Sequence, residues 1–359
     1  MHEIFTPIRQ EVRLEAERPD LIEFPTLHAD VHTAASLLQK AIRRSDEALA
    51  LSAAQKLFWD DPRRFWRRFN VCLFEDVGLV DRNLILAALS IAPSRDRPKA
   101  VWDEVALVVS NVCLAPKTQI ANHALHLAMH DVSEIDGLPY LECLGFNQVF
   151  GMIERDHLTP VQKALAAWRL SGLACGRGSE PQAHPDADVG RLLGGLDSLL
   201  DSIELSLILR EGVRLVGGPL PIAAVFMDHL VPTLPGSEID SDEIPECGEV
   251  LGLPGYVFDQ HTRLGKRALR LAVHNCPNLR KRLSVIVGAH NRLRCLSSAH
   301  FEFEAALLTR RVLAADHLEM LRRVQLTGAF RCPGFAEGLY DAFWEDWGRF
   351  CRIREGIDC

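Results

Sequence analysis

Between Asp259 and Arg294 the chain carries nine basic residues, Arg263, Lys266, Arg267, Arg270, Arg280, Lys281, Arg282, Arg292 and Arg294, against the single acid Asp259. That is a local excess of eight positive charges in a chain whose formal net charge is -8. On a helix, positions 263, 267, 270 and 274 share one stripe, which sets three arginines and His274 on one face. Guanidinium forks match the geometry of phosphate oxygens. The predicted phosphate or nucleic-acid contacts are therefore Arg263, Lys266, Arg267, Arg270, Arg280, Lys281 and Arg282. The competing expectation is a solvated face paired to acids within the chain or across a subunit boundary. Residues 236–249 supply Glu238, Asp240, Asp242, Glu243, Glu246 and Glu249 for that purpose. A mixed expectation has this acidic segment covering the basic helix until a polyanion displaces it.

A second basic stripe, Arg63, Arg64, Arg67 and Arg68, is interleaved with Trp59, Phe65, Trp66 and Phe69. Arginine with exposed aromatic rings is the composition of a platform on which single-stranded bases stack. Trp59, Arg63, Trp66 and Arg67 define that face. The alternative is an ordinary amphipathic helix with Phe65 and Phe69 turned inward. Asp259, His261, Arg263 and Lys266 could also form a catalytic set: Asp259 orienting His261 for proton transfer while the cations steady a phosphoryl oxyanion. An Asp or Thr capping a helix that opens with basic residues has the same pattern.

His123, His126 and His130 fall on one helical face. Zinc needs three or four convergent ligands with second-shell support, and no cysteine lies near them in sequence, so no metal is predicted. Glu75 and Asp76 are adjacent, and adjacent helical side chains point about 100° apart. They are expected to bond a helix end or Arg43 rather than share one atom. No phosphate cradle exists. The only Gly-Lys is Gly265-Lys266, with Gln260 where the first glycine belongs and Arg267 where Ser or Thr would bind magnesium. No cofactor is predicted.

The elements that must position these residues read as helices. Val31, Ala34, Ala35, Leu38, Ala41 and Ile42 recur at helical spacing. Asp61-Pro62 and Asp81 read as helix starts, and Trp102–Leu114 as a further helix, with Pro116 opening the next. Helices return over 160–173, 189–216, 259–274, 278–290 and 297–327. The expected fold is all-α, with at most a short β element in the leading arm or near 251–258. The expected divisions are an extended arm (1–29), a helical domain (30–131), a connector (132–190), a second helical region with the basic face (191–330), and a C-terminal docking helix (331–359).

Apolar residues make up 48% and charged residues 25% of the chain, which excludes disordered and collagen-like classes. The net charge excludes a polycation that coats nucleic acid with its whole surface. The ten cysteines show no C-x-x-C pair and are expected as buried free thiols. With no export signal or membrane span in the text, a cytoplasmic location is expected.

Three motifs carry a family resemblance. Lys40-Ala41-Ile42-Arg43-Arg44-Ser45-Asp46 resembles a K-x-x-R-G-S-D opening. Glu75-Asp76-Val77-Gly78-Leu79-Val80-Asp81 resembles an E-D-[IV]-G-x-A-D turn, and Leu114-Ala115-Pro116-Lys117-Thr118 an L-A-P-K-S segment. In this order they are similar to the C-terminal region of the clamp-loader-clade AAA+ ATPases that include bacterial replication-associated recombination protein A and the eukaryotic Werner-helicase-interacting protein. The likeness covers roughly residues 31–131. It implies a clamp-loader-collar-like helical bundle that drives oligomerisation, in proteins of replication, recombination and repair. It also implies structural roles for Lys40, Arg43, Asp46, Glu75, Asp76, Gly78, Pro116 and Lys117. Arg44 and Val80 depart from the pattern, and the ATPase module is missing, so no ATPase activity is expected. The resulting expectation is a non-ATPase, homo-oligomeric protein of DNA metabolism that contacts single-stranded or duplex DNA or a replication partner. The alternatives are an enzyme acting on a nucleotide or phosphodiester, and a structural adaptor for a clamp-loader-clade ATPase.

Overall fold

The computed structural model describes residues 2–17, 22–131, 134–135, 138, 141–155, 157–174, 182–200, 202–228, 239–286, 288–312, 315–327 and 336–356. Among these the chain is all-α, with two short antiparallel strand pairs. The helices are α1 (His2–Ala16), α2 (Val31–Arg44), α3 (Glu47–Asp60), α4 (Pro62–Cys72), α5 (Arg82–Ile91), α6 (Trp102–Leu114), α7 (Ile120–His130), α8 (Phe146–Ile153), α9 (Pro160–Ser171), α10 (Val189–Leu199), α11 (Ile203–Val216), α12 (Leu220–Met227), α13 (Arg263–Asn275), α14 (Pro277–Leu283), α15 (Ala289–His300), α16 (Ala315–Thr327) and α17 (Ala336–Glu355). Strand β1 (Ile239–Asp240) pairs with β4 (Arg311–Val312), and β2 (Glu249–Val250) with β3 (Leu253–Pro254). No helix among the described residues is long and apolar enough to cross a membrane.

Helix starts follow local chemistry. Asp61, Asp81 and Thr262 each accept a backbone N–H of the first turn, from Arg64, Leu84 and Gly265, satisfying donors that a helix leaves open. The stripe Ala34, Leu38, Ala41 and Ile42 of α2 is fully buried, as are Phe65, Phe69 and Cys72 of α4. A large apolar core runs from Phe5 to Val324 and takes in helices on both sides of residue 131. A second core joins α13, α14, α15 and α17. Its apolar stripe on α17 is Leu339, Phe343, Trp347 and Phe350, and the Trp347 indole donates to the Glu246 carbonyl at 2.6 Å. Burying side chains of this size stabilises by about 1.5–3 kcal/mol each.

Several expectations are corrected. The first half of the leading arm is helix α1, not extended chain. Its spacing puts Phe5, Arg9 and Val12 on one buried face, and Arg9 donates to buried Glu104 at 2.8 and 3.1 Å. This burial outweighs the hydrogen bond that Pro7 removes. The connector holds the expected helix over 160–173 as α9 and, besides it, α8; Phe146, Leu165 and Trp168 of these two helices belong to the main core. The single helix expected over 297–327 is interrupted. A π-helical turn (Phe301–Ala305) is followed by Arg310 at φ 53° and by β4, because Arg311 turns inward to pair with Asp242. Pro116 does not open a helix; Lys117 instead bridges to Arg311, and α7 begins at Ile120. Of the cysteines, Cys72, Cys113, Cys276 and Cys351 are buried free thiols, while Cys143 is exposed and Cys247 half-buried. Cys295 is disulfide-bonded, against the expectation of free thiols throughout. Cys175, Cys332 and Cys359 lie outside the described residues.

Candidate functional site

Helix α4 is packed on three sides, against α2, α3 and α11. Phe65, Trp66 and Phe69 are therefore inside, and Arg63, Arg64, Arg67 and Arg68 are left on the remaining face. Trp66 is only 8% exposed and packs edge-on against Phe65 at 4.9 Å. It is not a stacking platform, which corrects that part of the aromatic face. Trp59 is 65% exposed and remains available.

The start of α13 lies across from this face and closes tightly on the turn before it. A Cβ at Gly265 would lie 2.0 Å from the Asp259 carbonyl oxygen, so only glycine permits this approach. Asp259 is itself anchored: its carboxylate meets the Lys40 ammonium at 2.8 Å and accepts the His261 backbone N–H at 2.8 Å. Lys40 also donates to Ser36 and to the Val257 carbonyl. Burial lowers the Lys40 pKa to about 8 in spite of Asp259. Burial alone would raise Asp259, but Lys40 and His261 outweigh it and hold the carboxyl below its ordinary value. Helix α2 is thus the common floor, carrying α4 on one side and residues 255–259 on the other.

Between these walls lies a cleft of about 720 Å³, lined by His32, Ala35, Asp61, Arg63, Arg64, Arg67, Arg68, Val71, Gln260, His261 and Lys266. The arginines of α4 and Lys266 of α13, some two hundred positions apart in sequence, meet here. Arg64 is held by Asp61 at 2.9 Å and by His32, and Arg68 by Gln39 at 2.9 Å. Arg63, Arg67 and Lys266 are exposed and have no ion pair among the described residues.

Arg263, Arg267 and Arg270 lie on the outer face of α13, and Arg280, Lys281 and Arg282 on α14; all six are exposed outside the cleft. The described acids of the 236–249 segment do not neutralise them. Asp242 pairs with Arg311, and none of Asp240, Glu243, Glu246 and Glu249 bridges to α13 or α14. Glu238 lies outside the described residues. The four residues weighed as a catalytic set do not converge. His261 and Lys266 line the cleft, Asp259 is buried against Lys40, and Arg263 stands outside.

The three motifs form a buried joint. Arg43 donates through Nε to Asp76 at 2.6 Å, through Nη2 to Glu75 at 3.0 Å and through Nη1 to the Ala305 carbonyl at 2.7 Å. Both adjacent carboxylates reach Arg43 because its fork presents donors in different directions and residues 73–77 form a π-helical turn. Asp76 and Glu75 hold Arg43 above its ordinary pKa against the effect of burial, while burial and Asp76 raise Glu75. Lys117 donates to the Cys113 and Ala115 carbonyls and to Ser45, and burial lowers its pKa to about 8. Asp46 caps α3. Gly78, at φ 64°, lies against Thr118, whose N–H donates to the Asp76 carbonyl. These residues tie the segments around 257 and 305 to the first helices.

Sequence reasoning missed His317, which meets His123 ring to ring at 3.1 Å in the core. Burial lowers His123 well below its ordinary value and takes His126 and His317 to about 4. His126 and His130 pack at 4.7 Å, and no metal-ligand cluster forms among the described residues. Their partner α16 is remote in sequence, so no local signal could have found it. Compared with models of protein families, with curated proteins and with solved structures, the chain matches none.

Proposed function

We propose that this protein binds the phosphate backbone of nucleic acid through the cleft between α4 and the start of α13, with the outer arginines of α13 and α14 extending the track. The observation that carries this reading is the meeting of the α4 arginines and Lys266 in one concavity, where Arg63, Arg67 and Lys266 have no ion pair among the described residues. Unpaired cations facing a shared concavity focus an attractive field on an anion. With no phosphate cradle in the sequence, the reading is of a binding protein without ATPase activity. The resemblance of the three motifs to the collar of clamp-loader-clade ATPases supports a role in DNA replication, recombination or repair. It also supports self-association, or attachment to such an ATPase. Trp59 supports a preference for single strands, whose bases stack on exposed rings.

The test is fluorescence anisotropy with labelled single-stranded and duplex oligonucleotides at low salt. Binding is expected, weakened when Arg63, Arg67 and Lys266 become Ala. Absence of binding at low salt, or unchanged binding in the triple variant, refutes the reading.

A further inference from the structure

The cleft carries more positive charge than a backbone phosphodiester requires. Arg63, Arg64, Arg67, Arg68 and Lys266 line it, and Asp61 is the one carboxylate among the lining residues. Asp61 is already occupied, accepting the Arg64 backbone N–H at 3.1 Å and its Nε at 2.9 Å. The volume, about 720 Å³, lies within the range of small-ligand pockets. A phosphodiester passing through brings one negative charge. A phosphate monoester brings about 1.5 to 2 negative charges at pH 7 and three acceptor oxygens.

The cations also differ in how they are held. Arg64, held by Asp61 and His32, and Arg68, held by Gln39, are fixed and half-buried. Arg63, Arg67 and Lys266 are exposed, have no ion pair among the described residues, and reach in from two different walls. Hydrogen-bonded forks behind exposed cations suit a compact, highly charged group approached from several directions.

We infer that the cleft receives a phosphate monoester carried by a nucleotide, and in particular the terminal phosphate of a nucleic-acid strand. Arg63, Arg67 and Lys266 make the direct contacts; Arg64 and Arg68 supply the standing field behind them. The inference rests on the nucleic-acid reading above and sharpens it from backbone binding to recognition of an end.

The experiment compares labelled single strands of one sequence bearing a phosphate at the 5′ end, at the 3′ end, or hydroxyls at both, with AMP as competitor. A terminally phosphorylated strand is expected to bind at least about tenfold tighter than the hydroxyl strand, as charge-assisted contacts replace weaker ones. Arg67→Ala with Lys266→Ala, both exposed positions, should erase that preference. Changing Arg280, Lys281 and Arg282 to Ala should weaken all three strands alike and leave the preference between them intact. Displacement by AMP at comparable concentration also supports the inference, with a free nucleotide as the source of the phosphate. Equal binding of all three strands, undisturbed by AMP, overturns the inference and leaves backbone binding standing. No binding of any strand or of AMP overturns both.

Discussion

Changing Lys40 to Met probes the tie that holds the α13 side of the cleft to its floor. The Lys40 side chain is 3% exposed, and its ammonium is 2.8 Å from the Asp259 carboxylate. Met preserves most of the stem volume and removes the charge. Asp259, itself 1% exposed, then stays charged without its partner or takes up a proton. Protonating a carboxyl of ordinary pKa 3.8 at pH 7 costs about 4 kcal/mol, at 1.36 kcal/mol per unit. That bounds the loss and agrees with the 3–5 kcal/mol typical of breaking a buried pair. The converse change, Asp259→Asn, should cost less, about 1–2 kcal/mol, because Lys40, already lowered to about 8, can shed its proton near neutrality. The double variant Lys40→Met with Asp259→Asn keeps an acceptor for the His261 N–H and leaves no bare charge, so it should be more stable than Lys40→Met alone. Urea denaturation at pH 7 measures all three. The segment presenting His261 and Lys266 should also loosen, lowering oligonucleotide affinity at temperatures where Lys40→Met is still folded. A Lys40→Met variant within about 1 kcal/mol of the parent, or a double variant weaker than the single, would refute the reasoning.

Gly265→Ala should destabilise by at least about 1–3 kcal/mol, since its Cβ would meet the Asp259 carbonyl at 2.0 Å; thermal melting reads this. Trp66→Ala should cost about 3–5 kcal/mol, whereas Trp59→Ala should leave stability nearly unchanged and weaken single-strand binding. Stability should fall as pH drops from 6.5 towards 4. The unfolded chain then binds protons that His123, His126, His130 and His317 exclude when folded, and His317 alone contributes about 3 kcal/mol. Glu302, raised by burial to about 7, and Glu75, raised by burial and Asp76, oppose the trend by taking up protons in the folded state before the unfolded chain does, but they are two groups against four. Urea midpoints at pH 7, 5.5 and 4.5 check the sign, and His317→Asn should flatten the slope.

Local patterns were legible where one helix face decides burial. The stripes of α2 and α4 and the caps at Asp61, Asp81 and Thr262 follow from spacing and side-chain chemistry alone. Helix α1 was hidden because its proline argues locally for extended chain, while the burial of Phe5 and the Arg9–Glu104 pair are tertiary. The break after His300 was equally hidden, being fixed by Asp242 and Lys117 from distant segments. The basic residues of the cleft were each visible, but not as one site. Their meeting depends on α2, on the Lys40–Asp259 pair and on the close approach at Gly265. Trp66 was misplaced because an arginine-rich helix is assumed wet on more of its surface than α4, covered on three sides, allows.

The central claim is that Arg63, Arg67 and Lys266 contact phosphates together, and a salt titration of oligonucleotide affinity tests it most directly. Each lost contact lowers the slope of log affinity against log salt by about 0.7–0.9, so changing all three to Ala should lower it by about 2–3. Between about 50 and 200 mM salt the parent should then lose about 20–40-fold more affinity than the variant. Parallel salt lines for the two proteins, or affinity indifferent to salt, would contradict the account.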